Sequence, residues 1–202
     1  MSIRVLLADD QAMVLDALAV LLGLEADIEV VAKVPRGDQV AQAVEESQPD
    51  VCLLDIEMPG KTGIEVVADL AASHPEIPCA LVTTFGRPGY LQRALAAGAK
   101  GFLVKDTPAA ELAAAVRKIH QGQKVIDPDL AVESMSTGPS PLTEREAEVL
   151  RAALSGASIE DLAGQLFLSP GTVRNHISSA IAKTHTNTRM EAALAAQQAG
   201  WL

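Results

Sequence analysis

The sequence predicts a parallel α/β domain followed by a small, all-helical domain. Over residues 1–122, short apolar runs alternate with segments whose apolar residues recur at helical spacing. This alternation is typical of a parallel sheet with helices on both faces. Residues 134–141 are rich in Ser, Gly and Pro, which is typical of a linker. Beyond them, helix-capping signals recur without a strand pattern, and this indicates the helical domain.

The predicted strands are short apolar runs that end near polar or turn-forming residues. They cover residues 3–8, 28–34, 51–55, 79–83 and 101–105. Strands that alternate with helices are parallel and are joined by right-handed crossovers. The expected architecture is doubly wound and flavodoxin-like, with strand order 2-1-3-4-5, which is one of the two common arrangements in this class.

Helices are expected after each of these strands, over residues 12–24, 39–47, 64–73, 89–97 and 108–121. In the first of them, Leu15, Leu18 and Leu22 recur on one helical face and should pack on the sheet. In the last, Pro108 suits the first turn and Gly122 suits the cap.

The C-terminal region contains a series of helix-start signals. They are the capping boxes Thr143-x-x-Glu146, Ser158-x-x-Asp161 and Thr188-x-x-Glu191, and the N-cap with first-turn proline Ser169-Pro170. The predicted domain bounds are residues 1–122 for the α/β domain, 123–140 for the linker and 141–202 for the helical domain.

Composition predicts a globular, cytoplasmic protein without membrane insertion. Hydrophobic residues make up 49% and charged residues 21% of the 202 residues, which is enough to form cores. No apolar run reaches the roughly 18 residues that a membrane span needs, and the N-terminus enters a strand pattern directly. Cys52 and Cys79 lie in apolar runs, so buried free thiols are expected, with a disulfide as the minor alternative.

The net charge of −10 argues at first against nucleic-acid binding. However, residues 1–130 contain 11 Lys and Arg against 19 Asp and Glu, which gives −8, whereas residues 131–202 contain 5 against 7, which gives −2. No acidic residue lies between Asp161 and Glu191, whereas Arg174, Lys183 and Arg189 do. The helical domain is therefore locally basic and compatible with DNA.

Acidic residues follow two strands that should be neighbours in the sheet. The predicted order brings Asp9 and Asp10, after the first strand, next to Asp55 at the end of the third. Three adjacent carboxylates repel one another unless a cation is present, and hard oxygen ligands suit Mg²⁺. Asp55 is then a candidate nucleophile toward a phosphoryl group. The ends of the fourth and fifth strands supply a hydroxyl, Thr83, and a cation, Lys105.

These residues, with Met58-Pro59-Gly60 and the run from Lys100 to Lys105, resemble the receiver domains of two-component response regulators over residues 1–122. The resemblance implies that a partner histidine kinase phosphorylates Asp55. It implies a Mg²⁺ held by Asp10, Asp55 and the backbone carbonyl of Glu57, with help from Asp9. It also implies that Thr83 binds a phosphoryl oxygen, that Lys105 pairs with the phosphoryl group, and that Phe102 reorients with Thr83.

The third helix of the C-terminal region has two distinct faces. Val173, Ile177, Ala180 and Ile181 should pack inward, whereas small polar residues, including Asn175 and Ser178, lie opposite with Arg174 at the border. Such a face can enter a major groove without steric obstruction. Lys183 and Arg189 can neutralise phosphates. The alternative is an ordinary amphipathic helix with a solvated face.

The runs Leu142–Leu150 and Leu168–His176 are similar to the LuxR-type helix-turn-helix, over about residues 139–202. The resemblance implies base contacts by Arg174, Asn175 and Ser178, and positions near phosphates for Thr172, Lys183 and Arg189. Together, the two domains resemble the NarL/FixJ class of response regulators. The segments Asp55–Gly63 and Thr83–Tyr90 are further similar to regulators of a membrane-fluidity thermosensing system that controls a fatty-acid desaturase.

With few basic groups per domain, one copy should bind double-stranded promoter DNA weakly, whereas two copies on paired half-sites double the phosphate contacts. We therefore expect phosphorylation to promote a homodimer. Two alternatives are open. One is an aspartyl-phosphate phosphatase, an enzyme that would need a substrate-covering cap, and the sequence contains no such cap. The other is a phosphorylation-independent DNA-binding protein with a degenerate receiver, against which the intact acidic set argues.

Overall fold

The computed structural model describes residues 2–84, 87–137 and 140–202. The chain divides into two compact units, the first formed by residues 1–86 and 91–131 and the second by residues 87–90 and 132–202. Gly138 and Pro139, part of the predicted linker, lie outside the described residues. The predicted domain bounds stay a prediction.

The first unit is built on a parallel sheet with strand order β2-β1-β3-β4-β5-β6. The strands are β1 Ile3–Ala8, β2 Ile28–Val34, β3 Val51–Asp55, β4 Cys79–Thr83, β5 Gly101–Val104 and β6 Val125–Ile126. The doubly wound fold and the predicted order are confirmed. All five residues of β3 and all five of β4 are buried, because both strands are central and covered on both faces.

The helices that connect the strands are α1 Ala12–Gly23, α2 Val40–Ser47, α3 Gly63–Ser73, α4 Pro88–Ala97 and α5 Ala109–His120. A 3-10 turn at Gly37–Gln39 precedes α2. Leu15 and Leu22 of α1 share one core cluster with Val116 and Ile119 of α5 and with the sheet. The predicted inward face of α1 is therefore confirmed.

Part of the predicted linker is regular structure instead. Strand β6 extends the sheet because Val125 N donates to Lys100 O and Asp127 N donates to Phe102 O, both at 2.9 Å. Helix α6, Pro128–Thr137, begins where Asp127 Oδ1 accepts from Asp129 N and Leu130 N. The turn-forming composition of residues 134–141 did not indicate this strand or this helix, which form through backbone hydrogen bonds beside β5 and through the Asp127 N-cap.

The second unit contains α7 Glu144–Ala153, α8 Ile159–Gln165, α9 Pro170–Thr184 and α10 Arg189–Gln198. The three predicted capping boxes are formed reciprocally, and Ser169 caps α9 ahead of Pro170. Val173 and Ile177 of α9 pack in a core cluster with Val149 and Leu162. The helical domain and the inward face of α9 are therefore confirmed.

Cys52 and Cys79 are free and buried, and they face each other as register partners on β3 and β4. The predicted buried thiols are therefore confirmed. Within the described residues, every helix is too short or too polar to cross a membrane.

Candidate functional site

The acidic residues meet at the carboxyl end of the sheet. Ala8 and Leu54 are register partners, so Asp9 and Asp55, one residue further along each strand, are neighbours. One carboxylate oxygen from each of Asp9, Asp10 and Asp55 lies within 4.8 Å of the others. Asp9 is 2% and Asp55 is 6% exposed, whereas Asp10 is exposed. The predicted juxtaposition across β1 and β3 is present.

Lys105 follows β5 and joins this cluster. Its Nζ lies 2.6 Å from Asp9 Oδ2 and 3.1 Å from Asp55 Oδ1. Burial alone would lower the pKa of the Lys105 ammonium, but the hydrogen bond to Asp9 and the charge of Asp55 outweigh it and raise the pKa. Burial raises the pKa of Asp55, against the lowering effect of Lys105.

A small pocket of about 190 Å³ opens beside the cluster and is lined by Asp10, Gln11, Asp55, Glu57, Thr83 and Thr84. Three carboxylates against one ammonium leave a formal charge of −2. The donors are hard oxygens, which is the set that Mg²⁺ prefers. The residues therefore fit a divalent cation.

Two glycines allow close backbone approaches on either side of the loop that follows β3. A Cβ on Gly63 would lie 2.1 Å from Asp55 O, and a Cβ on Gly37 would lie 1.9 Å from Lys61 O. Gly37 N donates to Pro59 O at 3.1 Å, so the loop after β2 holds the loop that carries Glu57. Sequence reasoning included Gly63 but missed Gly37 and Gln11. The only signal for them was a turn-forming or polar residue after a strand end.

The predicted switch residues lie on neighbouring strands. Thr83 ends β4 and is 5% exposed, and Phe102 on β5 is fully buried. Phe102 pairs in register with Leu81, two residues before Thr83. Lys105 N donates to Thr83 O at 2.8 Å. The backbone therefore connects the two strand ends that carry the predicted hydroxyl and cation.

In the second unit, α9 exposes the predicted DNA-contact face. Arg174, Asn175 and Ser178 are exposed, whereas Val173 and Ile177 are buried. Among these exposed residues, Arg174 makes a surface ion pair. Arg174 Nη2 lies 3.2 Å from Glu160 Oε1, where both side chains are more than half exposed, and such surface pairs contribute little.

The residues predicted near phosphates have different environments. Thr172 Oγ1 lies 2.8 Å from the capping Ser169 Oγ. Arg189 Nη2 is 3.5 Å from Gly156 O. Lys183 Nζ, in contrast, lies 2.7 Å from Oε2 of the buried Glu146. Sequence reasoning missed this pair, because Glu146 already had a local role in a capping box.

The end of α9 and its cap, Lys183-Thr184-His185, include a polar side chain on the inward side of the helix. Thr184 Oγ1 donates to Ala180 O at 2.9 Å, which satisfies the hydroxyl on the inward side of α9. His185 then ends the helix in the left-handed region, with φ of 54°.

Two family models match the chain. The model for the response regulator receiver domain matches residues 5–117, and the model for the luxR family of bacterial regulatory proteins matches residues 140–196. The transcriptional regulatory protein DesR of Bacillus subtilis (strain 168) is 44% identical over 199 residues, which cover 98% of each chain. The uncharacterized transcriptional regulatory protein YvfU of the same strain is 42% identical over 200 residues, which cover 99% of this chain and all of that protein.

Solved structures agree with these matches. The response regulator ChrA of a heme-sensing two-component system has a TM-score of 0.60 at 34% identity and covers 98% of this chain and 97% of its own. RcsB in complex with DNA has a TM-score of 0.66 at 21% identity over 98% of this chain and 99% of its own, which is a likeness of fold alone. The chain therefore belongs to the NarL/FixJ-class two-component response regulators, in which a receiver precedes a LuxR-type helix-turn-helix, and it is a DNA-binding transcriptional regulator rather than an enzyme.

Proposed function

We propose that a partner histidine kinase phosphorylates Asp55, and that the phosphorylated chain dimerises and binds promoter DNA in the cytoplasm. The observation that carries the proposal is the buried cluster of Asp9, Asp55 and Lys105 beside a small pocket. Lys105 places a buried ammonium 3.1 Å from Asp55 Oδ1. A carboxylate that served only as a solvent-exposed surface group would not need such a partner.

The chain's own residues suit phosphoryl transfer from a phosphohistidine. An Asp55 oxygen attacks phosphorus, the P–O bond forms as the P–N bond breaks, and the imidazole leaves with a proton from solvent. Asp10, Asp55 and the Glu57 carbonyl, with help from Asp9, would hold Mg²⁺. When bound, this ion offsets the charge of the carboxylates and of the phosphoryl oxygens. Lys105 adds a fixed positive charge beside the acceptor.

The added phosphoryl group supplies the energy for a switch. It brings about −1.5 to −2 charges and new acceptor oxygens. Shifting a two-state equilibrium from 1:99 to 99:1 takes roughly 5.5 kcal/mol. Charge-assisted hydrogen bonds contribute about 1.5–3 kcal/mol each, so new bonds from Lys105 and the Thr83 hydroxyl are of the required size. Thr83 moving inward would free the space into which Phe102 turns, and α4, β5 and α5 would form the switching surface.

An exposed apolar stripe on α1 supports the homodimer. Met13, Val20 and Leu24 are 83%, 65% and 77% exposed, and their spacing puts them on one helical face. Contiguous exposed apolar side chains are typical of interaction surfaces. For DNA, we propose that Arg174, Asn175 and Ser178 contact bases and that Thr172 and Arg189 lie near phosphates.

We infer a narrower role as well, the control of membrane lipid desaturation. It is supported by the sequence of Asp55–Gly63 and by the 44% identity to DesR. YvfU is almost as similar, at 42%, so the target needs a direct test. Genomic fragments bound by the phosphorylated chain should include the upstream region of a desaturase gene, and their absence from the bound pool would exclude this role.

The main test compares the wild type with Asp55→Ala, each treated with acetyl phosphate and Mg²⁺. We expect one added phosphoryl group by intact mass spectrometry and a doubled mass by light scattering for the wild type alone. We also expect a gain in DNA affinity of about 10²-fold, the order that bivalent binding provides.

Two outcomes would favour the alternatives. DNA binding that is equally strong in Asp55→Ala and in the phosphorylated wild type would indicate a degenerate receiver. Many turnovers of a phosphomonoester would indicate a phosphatase.

A further inference from the structure

Glu146 is a buried carboxylate in the DNA-binding domain, with an exposed fraction of 4%. Its Oε2 accepts from Thr143 N at 2.7 Å, which closes the capping box of α7. The same oxygen accepts from Lys183 Nζ at 2.7 Å, and Oε1 accepts from Ser179 Oγ at 2.6 Å. One side chain therefore joins the first turn of α7 to the C-terminal half of α9.

The other capping boxes of the chain indicate that this arrangement is not needed for capping. Glu65, Asp161 and Glu191 occupy the equivalent position and are exposed. In the part of the chain that the structure describes, their carboxylates accept hydrogen bonds only from their own N-cap residues and, for Glu191, also from the preceding Asn187 N. The burial of Glu146 and its two bonds to α9 therefore serve a different purpose.

These two bonds hold one face of α9 to the start of α7. Ser179 and Lys183 are four residues apart and lie one above the other on the same helical face. Two hydrogen bonds from one helical face to one carboxylate restrain the rotation of α9 about its own axis, in addition to its packed apolar face. Ser178 lies about 100° around the helix from Ser179, on the exposed face with Arg174. Loss of the anchor would let this exposed face turn relative to α7.

The ammonium of Lys183 is paired with the buried carboxylate of Glu146. The Glu146 side chain is 5% exposed and that of Lys183 is 34% exposed. Burial would raise the pKa of Glu146, but the hydrogen bonds from Lys183 and Ser179 lower it to about 2. If Lys183 moved to a phosphate, it would leave a buried carboxylate without its counter-ion, which is strongly unfavourable.

We propose that Glu146 is a positioning residue that sets the orientation of α9 for base recognition, and that Lys183 is its internal counter-ion and not a phosphate ligand. The proposal rests on the proposed entry of α9 into the major groove. It reassigns Lys183, which the resemblance to the LuxR family had put near phosphates.

The role of Lys183 is tested by the salt dependence of binding. Each phosphate neutralised by Lys or Arg contributes about −0.9 to the slope of log K against log salt concentration. The probe is a labelled duplex of mixed sequence, titrated with the full chain after acetyl phosphate treatment. We expect Lys183→Met to leave the slope unchanged, whereas the matched control Arg189→Met reduces it by about 0.9. A reduction of about 0.9 for Lys183→Met would overturn the assignment.

The role of Glu146 is tested by specificity. A duplex enriched from a random library by the phosphorylated wild type is compared with the mixed-sequence duplex, and the ratio of the two affinities is measured. We expect Glu146→Gln to lower this ratio about tenfold, the order of one lost base contact. Glu191→Gln removes the same charge from an exposed capping box and should leave the ratio unchanged. Lys183→Arg keeps the positive charge and should preserve it.

A purely structural role would weaken binding to both duplexes equally, so an unchanged ratio in Glu146→Gln overturns the proposal. If that variant does not fold, Ser179→Ala removes one of the two anchors and carries the same expectation. Arg174→Ala tests groove entry separately. An unchanged ratio in that variant would contradict the proposed DNA contacts of α9, whatever the role of Glu146.

Discussion

The position of Asp55, the proposed phosphoacceptor, depends on the absence of a side chain at Gly63. The Gly63 N–H donates to Ile56 O at 2.9 Å, and a Cβ there would lie 2.1 Å from Asp55 O. Because that contact is with backbone, the neighbour can give way only if the end of β3 shifts. We therefore expect Gly63→Ala to destabilise the chain by about 1–3 kcal/mol or more and to slow phosphorylation of Asp55.

Urea unfolding monitored by circular dichroism measures this loss. Gly23→Ala is the matched control, because nothing lies within 4 Å of a Cβ at Gly23 and alanine suits a helix better by up to about 1 kcal/mol. Equal stabilities of the two variants would contradict the close approach at Gly63.

The acidic site was largely predictable from single residues, whereas the Glu146 anchor was not. Asp9, Asp55, Thr83 and Lys105 each follow or end an apolar run, and the common sheet edge brings such positions together. Glu146 and Lys183 lie 37 positions apart on different helices. Their pairing depends on how α7 and α9 pack, which no local pattern in the sequence records.

At the scale of elements, helices with a clear hydrophobic periodicity were predictable from the sequence, whereas the short strand β6 and the helix α6 were not. The predicted helices of the sheet appear with ends within one residue of those in the structure. Strand β6 has two residues and depends on backbone hydrogen bonds to the strand beside it. Helix α6 begins at the Asp127 cap and extends into the segment of turn-forming composition. In both cases, tertiary contacts decide what the local sequence leaves open.

The apolar stripe on α1 gives a prediction about this element. Val20→Asp should leave phosphorylation of Asp55 intact and weaken the phosphorylated dimer at least about tenfold, because a buried interface charge costs more than about 1.4 kcal/mol. Light scattering over a concentration series measures the dimer, and intact mass spectrometry measures phosphorylation. Val132→Asp on α6 is the control, at 69% exposure against 65% for Val20. Equal weakening by both variants would exclude α1 as the interface.

At the scale of the whole molecule, the charge distribution predicts that one copy binds DNA weakly. The chain carries −10 overall, and within α9 the ammonium of Lys183 is paired with Glu146. Few positive groups therefore remain for phosphates, and a pair of chains on one duplex doubles them.

We expect the phosphorylated chain to bind a duplex with paired half-sites about 10²-fold more tightly than one with a single half-site. The two half-site centres should lie one or two helical turns apart, about 10 or 20 base pairs. Fluorescence anisotropy at fixed salt measures both affinities, with the unphosphorylated chain as the control. Equal affinity for the two duplexes would mean that the copies bind independently.

The two buried thiols can report on opening of the receiver core. Cys52 and Cys79 face each other on the two central strands, and the chain has only these 2 cysteines, both in the receiver. A thiol-specific dye can therefore react only when that sheet opens, whatever the state of the helix-turn-helix. Labelling rates with and without the phosphoryl group would measure how far the modification tightens the receiver core.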